Sequence, residues 1–448
     1  MNRKTVLFVV VAALVLSVQA CSFGSKVTPT NQPLVQAGGG LTLVNKSAFT
    51  DQYDTYHVVG LVRNNSATAL TSIELTVEIK DASGKSLLKD DNDATVPSLT
   101  FNTLLDTLAP GESSPFEYSY DTTNGTPASY DVTITGQQTS EASPATLQVE
   151  NVEFYNDNNG TLYLSGELIN TGSQWVHINS LAGAAVDNAA NVLSADWSFD
   201  YSAEITPSDD TSGNNRTPFI ISFPAPPSGG ALDWRVYVGA EVADAPTRYS
   251  LAVEFTNSYF DELNDYHLVG TVTNNGAEVI NTLLVGGLYA ADQKVLDASY
   301  EFMPAYVEPG ASVPFDITGF YSIGYNPDQA AKLDSYTAQI DYWSTYPVTN
   351  SLVTLATAND QIEKDGATWT VTGDVTNTSD QSLDSITVVV TVLDAANKIV
   401  AIGYDYVTMD DTIAPGVKNT YSTYIYLKPG VDTSGYTTQA IVQGYVSN

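Results

Sequence analysis

Little in this chain is equipped for catalysis. Its 448 residues include three histidines, His57, His177 and His267, and one cysteine, Cys21. A nucleophilic triad or a zinc site needs several such groups converging on one pocket. No HExxH, GxSxG, GxGxxG or phosphate-loop spacing occurs. His57 and His267 each stand three residues before a glycine, Gly60 and Gly270, so their spacing predicts equivalent places on separate copies of one unit. The expectation is strand histidines on outer faces, about one domain length apart.

Carboxylates are too many to nominate a hydrolytic pair, which would face each other across a sugar-binding cleft. One acidic pattern is regular. Asp51, Asp157 and Asp261 each lie nine residues before a glycine, Gly60, Gly166 and Gly270, and Glu363 and Asp365 flank that place before Gly373. Asp81, Asp187, Asp292 and Asp394 lie 21 or 22 residues after the same glycines. Loops at one end of a sandwich would bring Asp51 towards Asp81, Asp157 towards Asp187 and Asp261 towards Asp292. Calcium, which prefers oxygen ligands, is the cofactor such pairs would suit, at an end facing the next domain. Turns in which an aspartate caps its own backbone explain the same residues without a metal. Tyr421, Tyr424 and Tyr426 can stack on sugars, form a protein-binding face, or pack as cross-strand pairs. The chemistry on offer is binding, and no enzyme is expected.

Charge narrows the partners. Fifty-one Asp and Glu against 17 Lys and Arg give a formal charge of −34, which repels nucleic acid and anionic lipid. Only 15% of residues are charged and 43% are hydrophobic, the balance of a folded acidic protein rather than a solvated tail. The length suits roughly three or four domains.

An internal repeat supplies the elements. YHVVGLVRNN, LYLSGELINT, YHLVGTVTNN and WTVTGDVTNT align on Gly60, Gly166, Gly270 and Gly373, at spacings of 106, 104 and 103 residues. Asn64, Asn170, Asn274 and Asn377 follow four places later, and Pro110-Gly111, Pro309-Gly310 and Pro415-Gly416 come later still, with Pro207 alone in the second copy. Around each glycine, apolar residues alternate with others, as in Trp369, Val371, Gly373 and Val375 against Thr370, Thr372 and Asp374. That is the period of a half-buried strand. Ile73, Leu75, Val77 and Ile79 repeat it in the next strand, and Ile386, Val388, Val390 and Val392 match them. In the second copy Gly183 and Ala185 hold the inner places, and its PSDDTSGNNRTP loop marks it for specialisation. The glycine, lacking a β-carbon, admits a large neighbour or a crossing strand. The Pro-Gly pairs suit the middle of a type II turn. The fold class expected is all-β, with four tandem immunoglobulin-like antiparallel sandwiches at 41–140, 141–244, 245–346 and 347–448.

The N-terminus sets the compartment. Asn2, Arg3 and Lys4 precede an apolar run from Val6 to Val18, too short to span a bilayer and suited to a signal peptide over residues 1–20. Val18-Gln19-Ala20-Cys21 resembles the lipobox of bacterial lipoproteins. The resemblance implies a diacylglyceryl group on Cys21, which becomes the mature N-terminus, and a membrane partner through that anchor. Residues 21–40 read as a flexible tether. The repeats in turn resemble FxLYD-type domains and cell-adhesion-related domains of bacterial surface proteins, in the strand-then-turn segments Val77-Glu78-Ile79-Lys80-Asp81-Ala82-Ser83-Gly84 and Val390-Thr391-Val392-Leu393-Asp394. That resemblance implies extracellular β-sandwiches and transfers no catalytic residue. The function expected is an extracytoplasmic, lipid-anchored spacer, scaffold or adhesion array with a protein or glycan ligand, on the cell membrane or the outer membrane. The alternative is an accessory lipoprotein presenting a ligand to a membrane complex.

Overall fold

The computed structural model describes residues 35–36, 40–139, 143–157, 159–226, 232–349, 351–407 and 412–446. Cys21, the apolar run before it and most of the tether lie outside the described residues.

The strands fall into four successive units of two facing antiparallel sheets. In the first unit Leu41–Thr50, Thr55–Asn64 and Ser113–Asp121 form one sheet, and Leu99–Asn102, Leu70–Lys80 and Ser129–Thr139 form the other. In chain order these are the first, glycine, central, edge, return and closing strands. The glycine strand is the middle of one sheet and the central strand the middle of the other. The second unit repeats the order with Gln148–Asn156, Thr161–Ile169, Trp175–Val186, Val192–Trp197, Arg216–Pro224 and Asp233–Ala243. The third uses Leu251–Phe260, Tyr266–Asn274, Ile280–Ala290, Val295–Phe302, Ser312–Ile317 and Leu333–Pro347. The fourth uses Thr357–Asp365, Thr368–Thr376, Leu383–Leu393, Ile399–Val407, Lys418–Tyr426 and Thr437–Val446. The protein is an all-β chain of tandem immunoglobulin-like sandwiches.

The repeated residues perform repeated tasks. Each anchor glycine faces an aromatic ring in register on the return strand: Gly60 meets Phe116, Gly166 meets Phe219, Gly270 meets Phe315 and Gly373 meets Tyr421. A β-carbon at Gly60 would lie 2.3 Å from the Asn45 carbonyl oxygen and 2.5 Å from the Phe116 ring. The ring fills the space a side chain would take, and the sheet closes around it. The anchor asparagines are fully buried and do more than end a strand. Asn64 donates both amide hydrogens, to Thr68 O at 2.8 Å and Leu108 O at 2.9 Å, and accepts from Ser66 N. Asn170, Asn274 and Asn377 make the same two donations. Each thereby ties the corner after the glycine strand to the crossover before the return strand. Gly111, Gly310 and Gly416 have φ of 85°, 74° and 77°, as the third position of a type II turn requires. Each turn also gives its glycine N–H to the carbonyl of the anchor asparagine.

One expectation is corrected. The alternation around the glycines predicts solvated outer faces, and three of the four are buried. Val59 and Val269 have no exposure, Ser165 has none, and His57, Tyr163 and His267 are 6–8% exposed. The cause is stacking: the glycine-strand sheet of each unit packs face to face on the edge and central strands of the next. Phe49 and Val59 pack on Ala184, Val186, Val192 and Ala195 at the first junction. Tyr163 and Ile220 pack on Ala298 at the second. Tyr259 and Val269 join the core of the fourth unit at the third. Each junction also ties its polar groups to the start of the oncoming edge strand. Ser47 Oγ donates to Val192 O at 2.9 Å, Ser165 Oγ to Val295 O at 2.6 Å, and Asn257 Nδ2 to Val400 O at 2.9 Å. Burial on both faces explains why the central strands of the later units, such as Ile280–Ala290, read as nearly continuous apolar or small residues. In the fourth unit the matching face carries Thr370, Thr372 and Asp374 and remains partly exposed.

Candidate functional site

The regular aspartates are turn builders. Asp51 Oδ1 accepts from Tyr53 N and Thr55 N, Asp157 Oδ1 from Asn159 N and Thr161 N, and Asp261 Oδ1 from Leu263 N and Asp265 N, all at 2.8–2.9 Å. Asp81, Asp187 and Asp394 cap the turn after the central strand in the same way. Asp292 is not their equivalent. Ala290 holds that place in the third unit, closing the turn with backbone bonds to Lys294 and Gln293, and Asp292 makes one 3.4 Å contact with Lys294 N. Among the described residues, no group of three or more His, Cys, Asp or Glu side chains gathers to hold a metal ion.

The second oxygens of Asp51 and Asp261 turn to the histidines. His57 Nε2 is 3.3 Å from Asp51 Oδ2, and its Nδ1 is 2.8 Å from Glu117 Oε1. His267 repeats the arrangement between Asp261 Oδ2 at 3.6 Å and Asp316 Oδ2 at 2.7 Å. His57 stacks on Phe49 and His267 on Tyr259, so both rings are sealed in junctions. Burial pulls each imidazole down, but the paired carboxylates outweigh it and hold both above the ordinary histidine value. His177 lacks so close a partner: Glu204 is 3.8 Å away, and burial against Trp343 of the third unit holds its pKa down. The loop flagged in the second copy also reaches the third unit, where Asn214 Nδ2 donates to Tyr342 Oη at 3.0 Å. Of the flagged tyrosines, Tyr421 is buried and donates to Asp360, Tyr426 is half-buried, and Tyr424 is 60% exposed.

The residues best placed to meet a ligand are ones the sequence reading passed over. Counted from the residue that opens the turn after the central strand (Asp187, Ala290 or Asp394), the tenth and twelfth positions are aromatic in three units. They are Trp197 and Phe199, Tyr300 and Phe302, and Tyr404 and Tyr406. Exposures are 46, 38 and 39% at the first position and 60, 49 and 46% at the second. Within each pair the rings meet edge to face, at centroid distances of 4.0, 6.3 and 5.6 Å. The same offsets in the first unit carry Asp91 and Asp93, in an exposed turn.

Between the second and third units this flank opens into a cleft of about 260 Å³. Trp197 and Phe199 line it from one unit and Tyr300 and Tyr321 from the next, over Tyr163 and Ala298. Tyr321 begins the short helix Tyr321–Tyr325. Two carboxylates border the cleft. Burial pushes Asp200 up to about 6 and Asp297 up to about 7, against the hydrogen bonds they accept from Ser198 and from the Ala298 and Ile323 amides. At the next junction burial and the nearby Asp316 raise Glu301 to about 7, and Tyr404 Oη lies 3.4 Å from its carboxylate. The flank combines apolar ring faces with hydrogen-bond acceptors, the composition of a binding surface.

No family model matches the chain, and no curated protein matches it. Among solved structures, the chain is similar to red sea bream transglutaminase, at 13% identity and a TM-score of 0.16 over 41% of this chain and 28% of that one. It is also similar to Escherichia coli α2-macroglobulin activated by porcine elastase, at 11% identity and a TM-score of 0.14 over 93% of this chain and 44% of that one. The chain thus spans less than half the length of either protein.

Proposed function

We propose that this protein is a non-enzymatic, extracytoplasmic lipoprotein, held to a membrane through Cys21, whose stacked sandwiches form a stiff scaffold that presents a ligand-binding flank. The observation that carries this reading is the junction device. Three successive junctions bury the same sheet face, and each bonds it to the start of the next edge strand. Sealed junctions of this kind oppose hinge motion, whereas a string of independent domains keeps polar surfaces between its beads. The four units are FxLYD-like repeats in this reading, supported by the strand-then-turn segments ending at Gly84 and Asp394. Calcium is not needed for stiffness, because the turn aspartates already cap their own backbone.

The anchor has a direct test. In a bacterial host, the full chain should incorporate labelled palmitate and partition with membranes, and Cys21→Ser should abolish both. Unlabelled protein, or labelling that survives Cys21→Ser, contradicts the anchor. The scaffold has a separate test in small-angle scattering. One rigid stacked particle should fit the profile, and a flexible-bead ensemble that fits better contradicts it.

A further inference from the structure

Isolated exposed aromatics are ordinary on protein surfaces and need no ligand. A pair at the same two places in three consecutive units is different, because it recurs without being needed for a core. The repeat acts as its own control: core positions recur because each unit needs a core, whereas nothing in the sandwich requires Trp197, Tyr300 and Tyr404 to stay half in water. Trp197 ends one edge strand with Phe199 two residues beyond it, and the other two pairs lie within edge strands. The pairs also follow one another along one flank. Trp197, Phe199 and Tyr300 share the cleft between the second and third units, and Tyr404 Oη lies 3.4 Å from Glu301, on the same edge strand as Tyr300 and Phe302 but on its other face.

We infer that the pairs Trp197–Phe199, Tyr300–Phe302 and Tyr404–Tyr406 form a ladder of stacking platforms that binds a neutral polysaccharide chain running along this flank. The inference deepens the ligand-binding part of the function proposed above. A repetitive surface matches a repetitive ligand, and pyranose rings present apolar C–H faces that stack on aromatic rings. Their hydroxyl hydrogens need acceptors: Asp200 borders the cleft beside Phe199, and Glu301 lies against Tyr404 of the third pair. One oxygen of each already has a partner within the protein, Ser198 Oγ at 3.2 Å and Tyr404 Oη at 3.4 Å, leaving the other to accept. The formal charge of −34 disfavours an anionic polymer. Because burial also pushes Asp200 and Glu301 towards the neutral acid, these groups suit hydroxyls better than ammonium ions.

The test is calorimetric titration of the full chain with cello-, laminari-, xylo- and manno-oligosaccharides from disaccharide to octasaccharide, with polygalacturonate and polylysine as charged comparisons. At least one neutral series should bind, and affinity should rise about tenfold or more from disaccharide to octasaccharide as a second pair is engaged. The Trp197→Ala, Tyr300→Ala, Tyr404→Ala triple variant should lose about tenfold or more of that affinity, since it removes one ring face from every pair. Its far-ultraviolet dichroism should remain that of the parent, and Tyr300→Phe, which keeps the ring, should bind normally. The ladder is overturned if no neutral series binds, if the triple variant binds as well as the parent while folded, or if a charged polymer is preferred. Binding that is independent of chain length overturns the ladder too. None of these results depends on the scattering profile, so ladder and scaffold can fail separately.

Discussion

At the residue scale, the four anchor asparagines carry more of the fold than their turn-like sequence suggests. Each is buried with both amide hydrogens given to backbone carbonyls from two different segments. Asn64→Ala removes the buried donation to Leu108 O, while Thr68 O keeps Ser66 Oγ, and should cost about 1–3 kcal/mol, read from urea unfolding of that unit. The histidines give a pH signature. His57 and His267 are raised by their carboxylate partners, and burial raises Asp196 and Asp200 to about 6 and Asp297, Glu204 and Glu301 to about 7. A raised folded value means that the native state keeps protons the unfolded chain has released. The stabilisation is therefore complete below the unfolded value and is lost as pH rises through the folded one. The melting temperature should fall between about pH 5 and pH 8, and the His57→Gln, His267→Gln double variant should flatten the part of that fall above about pH 6.5. A melting temperature that rises over this range contradicts the buried pairs. The turn aspartates should leave the melting temperature unchanged on calcium addition, because one oxygen of each is already committed to backbone N–H groups; a clear rise contradicts that reading.

At the element scale, much was legible in the sequence. Period-two burial around Gly60, Gly166, Gly270 and Gly373 places Val58, Leu164, Leu268 and Val371 in their cores, and the Pro-Gly pairs form the turns their composition implies. The outer faces were misread for a physical reason. Period two tells one face of a strand from the other, and whether a second sheet lies on the far face depends on residues a hundred positions away. Val59 and Leu61 in the first unit and Val269 in the third were a faint sign, as were the unbroken apolar runs in the later central strands. The edge-strand aromatics escaped because Trp197, Tyr300 and Tyr404 fall into register only when counted from the turn after the central strand. The third unit reaches that turn one residue sooner after its glycine. Val59→Asp should expose the first junction, because an unpaired charge on a fully buried face costs about 2 kcal/mol or more. Both flanking units should keep their strand signal by circular dichroism while protease sensitivity rises between them. Unchanged protease resistance contradicts the sealed junction.

At the scale of the whole molecule, the units are continuous. Each sandwich has its own core, and each junction adds a thinner apolar layer, so cores and junctions alternate from the first unit to the fourth. Thr370, Thr372 and Asp374 leave the matching face of the fourth unit polar and partly exposed. A stiff body of this kind keeps its edge-strand flank in a fixed geometry, which a ladder of binding platforms needs. The most direct measurement is a spin-label distance between equivalent exposed turns of neighbouring units, Ser83→Cys and Ala189→Cys, in a Cys21→Ser background with no other thiol. Sealed stacking predicts one narrow distance distribution, which Val59→Asp broadens. A broad distribution in the parent chain would show the units moving independently and contradict the account.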